Sequence, residues 1–194
     1  MGEPAWVLAT YFPNQGEWSD DEFVAFSASR SRLELVHGSV EVLPMPSLRH
    51  QVILALLFRV LDAFARRTGG RALPSGLRIR LEPGRFREPD VAFLSKARLH
   101  LRAEEYWTGA DLVVEIVSPA ANDRVRDFVT KRVEYAAAGI PEYWIVDPED
   151  ETLHVLALDG TAYREHGLHR RGAVATSASF AGLELDVTEL FDAD

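Results

Sequence analysis

Two apolar runs of this chain each carry a carboxylate that nothing local explains. One is Glu88-Pro89-Asp90-Val91, and the other is Asp111-Leu112-Val113-Val114-Glu115-Ile116-Val117-Ser118. A lone carboxylate buried among aliphatic side chains costs several kcal/mol unless it is protonated, paired with arginine or bound to a cation. If Asp90 and Glu115 lie on matching faces of neighbouring strands, their side chains come within about 5 Å. Carboxylates that close repel each other unless a cation sits between them. An all-oxygen site suits Mg²⁺, Mn²⁺ or Ca²⁺ better than zinc. Such an ion lowers the pKa of a bound water and shields a phosphate. Asp90 and Glu115 are therefore the candidate metal ligands, with Mg²⁺ or Mn²⁺ as the expected cofactor.

Lysine supplies the third candidate. The chain holds 19 arginines but only two lysines, Lys96 and Lys131. Lysine is a compact point charge, so each one asks what arginine could not do there. Lys131 lies two turns into a helix expected to start near Asp123, about 12 Å along its axis. Glu115 lies about 10 Å back along the preceding strand. The setbacks match, so Lys131 can face Glu115 and stabilise charge on a phosphoryl group. Plainer readings remain: Asp127 and Lys131 as an i,i+4 pair, Asp90 as a turn cap, and Glu115 paired with an arginine.

The elements that must position these groups follow from pattern. Residues 1–18 read as an arm. Ser19 and Glu22 have capping-box spacing for a short helix to about Ala28. Arg32 to Leu43 alternates around His37-Gly38 and predicts a hairpin, with Glu34 and Glu41 on a solvated strand face. Ser47 to Arg67 is the clearest helix, through Leu54, Leu57, Phe58, Leu61, Phe64 and Ala65. His50 sits at its start, either as a hydrogen-bonded cap or aimed at the site. Strands follow at 76–81, 88–94 and 111–117. In the last, Leu112, Val114 and Ile116 point one way and Asp111, Val113, Glu115 and Val117 the other, so it is covered on both sides. Tyr106-Trp107 reads as an exposed connection. The next helix runs to about Ala138, with Val125, Val129, Val133 and Ala136 as its buried stripe and Phe128 beside it. Strands at 142–146 and 152–157 precede weaker ones at 161–164, 173–176 and 183–187. The order implies one α/β (α+β) domain over 1–194, a central mixed sheet flanked by helices with an added N-terminal hairpin and C-terminal strands.

Composition narrows the setting. With 194 residues and 47% hydrophobic residues, the chain can bury a sizeable core. It has no cysteine, which excludes disulfides and thiolate metal sites and suits the cytoplasm. No apolar run is long enough for a membrane span, and no signal peptide is expected. The net charge of −9 argues against a polyanionic partner, yet residues 49–102 hold 12 basic and four acidic side chains. That excess marks either a phosphate-facing side or an ordinary solvated face.

Together these residues resemble the Uma-two family of restriction-endonuclease-like proteins, in the PD-(D/E)xK nuclease superfamily. The resemblance is carried by Leu33-Glu34-Leu35-Val36-His37-Gly38, Ser47 to His50, Glu88 to Phe93, Asp111 to Pro119 and Lys131 to Asp147. It implies a central sheet flanked by helices and Mg²⁺-dependent cleavage of phosphodiester bonds. Asp90 corresponds to the motif aspartate and Glu115 to the motif glutamate. The usual lysine two residues on is replaced by Val117, and Lys131 fits the role of a migrated catalytic lysine. Glu34, His50 and Tyr135 are accessory candidates.

Three functions are in view. The first is an endonuclease acting on nucleic acid, with DNA favoured over RNA. The second is a catalytically inactive binding or regulatory module on the same fold. The third is an oligomerisation role, such as a homodimer, with Tyr106-Trp107 and Tyr143-Trp144 as contact surface.

Overall fold

The computed structural model describes residues 12–28 and 32–193. Of the expected arm, residues 1–11 lie outside the described residues. Helix α1 (Asp20–Ser27) begins with the expected capping box between Ser19 and Glu22. Strands β1 (Leu33–Val36) and β2 (Ser39–Val42) form the predicted hairpin. Its two-residue turn puts His37 at φ 49° and Gly38 at φ 74°. Gly38 is required twice over: a Cβ there would also lie 2.5 Å from the Gly16 carbonyl oxygen.

Helix α2 (Leu48–Thr68) is capped by Ser47, whose hydroxyl accepts from the His50 N–H, and ends at Gly69 in the left-handed region. Strands β3 (Arg71–Pro74), β4 (Ile79–Glu82), β5 (Arg85–Arg87) and β6 (Val91–Leu94) follow. A 3-10 helix (Lys96–Leu101) leads to β7 (Leu112–Ile116). Helix α3 (Ala121–Val125) runs through a π-turn (Arg126–Thr130) into α4 (Lys131–Ala137). Strands β8 (Glu142–Asp147), β9 (Thr152–Asp159), β10 (Ala162–His169), β11 (Val174–Thr176) and β12 (Glu184–Asp186) precede helix α5 (Val187–Asp192).

The main sheet has the order β10-β9-β8-β7-β6-β3. It is mixed: β7 and β8 are parallel, joined by the α3–α4 helix, and the other neighbours are antiparallel. One face packs on α2 through Ile53, Leu57 and Leu61 against Val91, Leu112 and Val114. The other gathers Ala92, Val113, Val117, Ile145 and Tyr135. Every residue of β7 is buried, and its side chains split between the two faces as the alternation implied. A second sheet, β2-β1-β5-β4, packs Leu35 and Phe86 on Phe23 of α1.

Several expectations are corrected. The sequence pattern assigns no element to 71–74, which is a strand, and runs its last strand through Val187, where helix α5 begins. Trp107 is buried, with its backbone bonded to Arg78 and Arg80. Tyr143 and Trp144 are fully buried, so neither they nor Trp107 form a contact surface. Glu34 is fully buried, not on a solvated strand face. The largest reversal is on the α3–α4 helix. Val125, Val129 and Val133 are 57%, 56% and 66% exposed, while Asp127, Lys131, Glu134 and Tyr135 face inward. A helix buries charge in preference to valine only when fixed opposite charges wait on the other side.

Candidate active site

Those opposite charges come from three other elements. β6 and β7 are antiparallel with Val91 opposite Val114, and the same register carried one step further places Asp90 opposite Glu115. Both side chains line one small cavity at the end of the sheet, together with His50, Asp127 and Lys131. Asp90 accepts the Ile116 backbone N–H at 2.7 Å and faces His50 Nε2 at 3.3 Å, both through Oδ2.

Lys131 is 1% exposed. Its Nζ lies 2.8 Å from Glu115 Oε1, 3.1 Å from Glu34 Oε1 and 3.9 Å from Asp127 Oδ1. The π-turn immediately before it helps to aim it: the Lys131 N–H donates to the carbonyl five residues back, at Arg126. The Tyr143 hydroxyl donates to the Asp127 carbonyl at 2.9 Å within the same turn. Such turns are often found at functional sites.

Behind Lys131 stands a second ion cluster. Glu34 Oε2 accepts from Arg87 at 2.6 Å, and its Oε1 accepts the Glu88 backbone N–H at 3.0 Å. Arg87 grips Glu134 through Nε at 2.7 Å and Nη2 at 2.9 Å. Two arginines of the basic segment therefore serve the interior: Arg87 here, and the buried Arg78, which donates to the Ser27 hydroxyl.

The electrostatics divide the carboxylates. Burial would push Glu34 up, but Lys131 and Arg87 outweigh it and hold the carboxyl at about 2. Glu115 goes the other way. Burial pushes it up to about 8, Lys131 opposes that, and the Asp127, Asp90 and Glu34 carboxylates add to it. Burial would lower Lys131, yet Glu115, Glu34 and Asp127 raise it above the ordinary lysine value. Tyr135 donates to Glu115 Oε1 at 2.6 Å, and burial lifts its hydroxyl well above the usual tyrosine range. A carboxyl so crowded gives up its proton less readily than an ordinary glutamate.

The residues fit a divalent cation by their chemistry. The hydrogen bonds and ion pairs of Glu115 fall on Oε1 and those of Asp90 on Oδ2. One hard oxygen of each is thereby left over, the donor type that Mg²⁺ and Mn²⁺ take. The cavity measures about 20 Å³, room for a single water-sized particle. His50 Nδ1 is a buried nitrogen with no partner among the described residues. No three His, Cys, Asp or Glu side chains among the described residues form a ready metal cage. Two carboxylates completed by water and substrate is the arrangement Mg²⁺ commonly uses instead.

The structure thus brings together Asp90, Glu115, Lys131, Glu34, His50 and Tyr135. Sequence reasoning missed Arg87, Glu134 and Asp127 as members of the same network. Asp127 was visible as the i,i+4 partner of Lys131; for Arg87 and Glu134 no local signal existed.

The family model of Uma2, described as "Putative restriction endonuclease", matches residues 20–188. Among solved structures, the chain resembles one described as "a putative nuclease belonging to DUF820" from Anabaena variabilis, with a TM-score of 0.70 and 23% identity over 92% of this chain and 98% of that one. At that identity the likeness speaks for the fold. No relative was found among the curated proteins. Among the described residues no helix is long and apolar enough to cross a membrane.

Proposed function

The chain belongs to the Uma2 family, and from that premise we propose that it is a divalent-metal-dependent endonuclease that hydrolyses phosphodiester bonds in nucleic acid. The observation that carries the reading is the placement of Lys131 Nζ 2.8 Å from Glu115, with Asp90 opposite that glutamate in the strand register. Asp90 and Glu115 are the ligands for Mg²⁺ or Mn²⁺. When bound, the cation supplies Lewis-acid stabilisation of the phosphate and a lowered pKa for water.

The chain's own residues do the rest. Asp90 is fixed by the Ile116 N–H and by His50, so its free oxygen keeps one direction. Glu115 is fixed by Tyr135 and Lys131 in the same way. Lys131 takes the role of the in-strand lysine that Val117 replaces, and its ammonium stabilises charge developing on the phosphoryl oxygens. Glu34, tied to Arg87, keeps the ammonium from following the substrate out of the site.

Incubation of DNA and RNA, single-stranded and duplex, with Mg²⁺ or Mn²⁺ tests this. Cleavage that stops with chelator is the expected result. Absence of cleavage on every form would overturn it and leave the second reading, a non-cleaving module on the same fold. The cavity of about 20 Å³ favours that alternative, because it has room for about one water and a phosphate group is larger.

A further inference from the structure

A larger cleft adjoins the ion-sized cavity and shares Pro44, His50 and Ser118 with it. It measures about 410 Å³, within the roughly 300–1,000 Å³ range of small-molecule sites. Its lining is mainly apolar: Pro44, Met45, Val117, Pro119, Ala120 and Pro148. Met45 is 84% exposed at its lip. Polar side chains stand at the rim, but the cations near the mouth are already engaged. Arg49 lies 3.2 Å from Glu151, Arg124 lies 2.6 Å from Asp147, and Arg126 lies 2.8 Å from Asp123.

These two observations point the same way. Duplex binding draws most of its affinity from many Lys and Arg on backbone phosphates; here Arg49, Arg124 and Arg126 face carboxylates, and Arg32 donates to the Pro44 carbonyl. An apolar slot contiguous with a phosphate-cleaving site suits the flat face of a base that has left its stack. Proline rings and a flexible thioether make such a surface without fixing which base. We propose that this cleft is a nucleobase subsite, and that the substrate is single-stranded nucleic acid or a duplex with an unpaired nucleotide beside the scissile phosphate. The inference rests on the nuclease reading of the adjoining pocket.

Binding measured in chelator tests it apart from cleavage. Fluorescence anisotropy would compare a short labelled single strand, the same sequence as a blunt duplex, and that duplex with one unpaired nucleotide. The single strand and the bulged duplex should bind at least about tenfold tighter than the blunt duplex. Met45→Glu at the lip and Ala120→Trp filling the slot should each remove most of that preference, and both positions are exposed enough to leave the fold intact. A fluorescent adenine analogue in the strand should brighten on binding the wild type, because it leaves its stack for an aliphatic slot, and should not brighten on binding Ala120→Trp. Equal affinity for all three forms, absence of binding, or a preference unchanged in both variants would overturn the subsite. Selective binding without metal-dependent cleavage would instead overturn the nuclease reading and leave the subsite standing. Efficient cleavage of blunt duplex alone would do the reverse.

Discussion

Lys131 and Glu115 meet at 2.8 Å from opposite ends of a strand-to-helix connection, and neither has access to bulk water. The lysine also touches Glu34, and that glutamate is held by Arg87. Lys131, Glu34 and Arg87 therefore alternate in charge, and each is neutralised by its neighbours. Breaking such a buried pair by removing one partner is costly, because the other charge stays behind.

Arg87 gives the plainest stability test. It is buried between Glu34 and Glu134. Arg87→Ala should lower unfolding stability by about 3–5 kcal/mol, read as a shifted urea midpoint. Arg87→Lys should recover only part of the loss, because an ammonium cannot reproduce the two-pronged contact with Glu134. A midpoint within error of wild type for Arg87→Ala would mean the network is not stabilising.

The two glutamates predict opposite pH trends. Glu34 falls from an ordinary 4.5 to about 2 on folding, so its contribution is present above pH 4.5 and is lost as pH falls toward 2. Glu115 rises from 4.5 to about 8, so its contribution is full below pH 4.5 and is lost as pH rises through 8. Without metal, wild-type Tm should therefore decline between pH 6 and pH 9. Glu115→Gln, which keeps an acceptor for Tyr135 and Lys131, should flatten that decline. A parallel decline in both proteins would assign the effect to another group.

Asp90 separates metal binding from folding. An asparagine can still accept the Ile116 N–H, so Asp90→Asn should stay within about 1 kcal/mol of wild type. Calorimetric Mg²⁺ or Mn²⁺ binding should be lost in the same variant. Unchanged binding would remove Asp90 from the ligand set.

Tyr135 donates to the same Glu115 oxygen as Lys131. Tyr135→Phe should cost about 1.5–3 kcal/mol, the range for a hydrogen bond to a charged group, or less where Glu115 is protonated. The loss should therefore be larger at pH 9 than at pH 6. A cost that does not change with pH would show that the tyrosine does not sense the Glu115 charge.

Much of the scaffold was legible because it rests on local chemistry. The Ser19 capping box, the His37-Gly38 turn and the two-sided burial of Leu112–Ile116 are each written within a few residues. The candidate site was legible in part: Asp90, Glu115 and Lys131 stood out as charges in apolar or arginine-rich surroundings. The α3–α4 helix was misread for the complementary reason. Valine spacing alone names 125, 129 and 133 as the inner face, but Glu34 and Arg87 arrive from distant strands and make the charged face the one that buries. No window along the helix contains those partners. Strand β3 escaped notice because Arg71–Pro74 ends in proline at a sheet edge, where a missing N–H is tolerated.

On the nuclease reading, Glu115 and Lys131 do chemistry rather than merely neutralise each other. Single-turnover cleavage by folded Glu115→Gln protein separates the two, since this change keeps an acceptor for Tyr135 and Lys131 and replaces the other carboxylate oxygen with an amide nitrogen. The expected result is a variant at least as stable as wild type at pH 8, with cleavage reduced about a hundredfold or more. A stable Glu115→Gln protein that cleaves at the wild-type rate would contradict it.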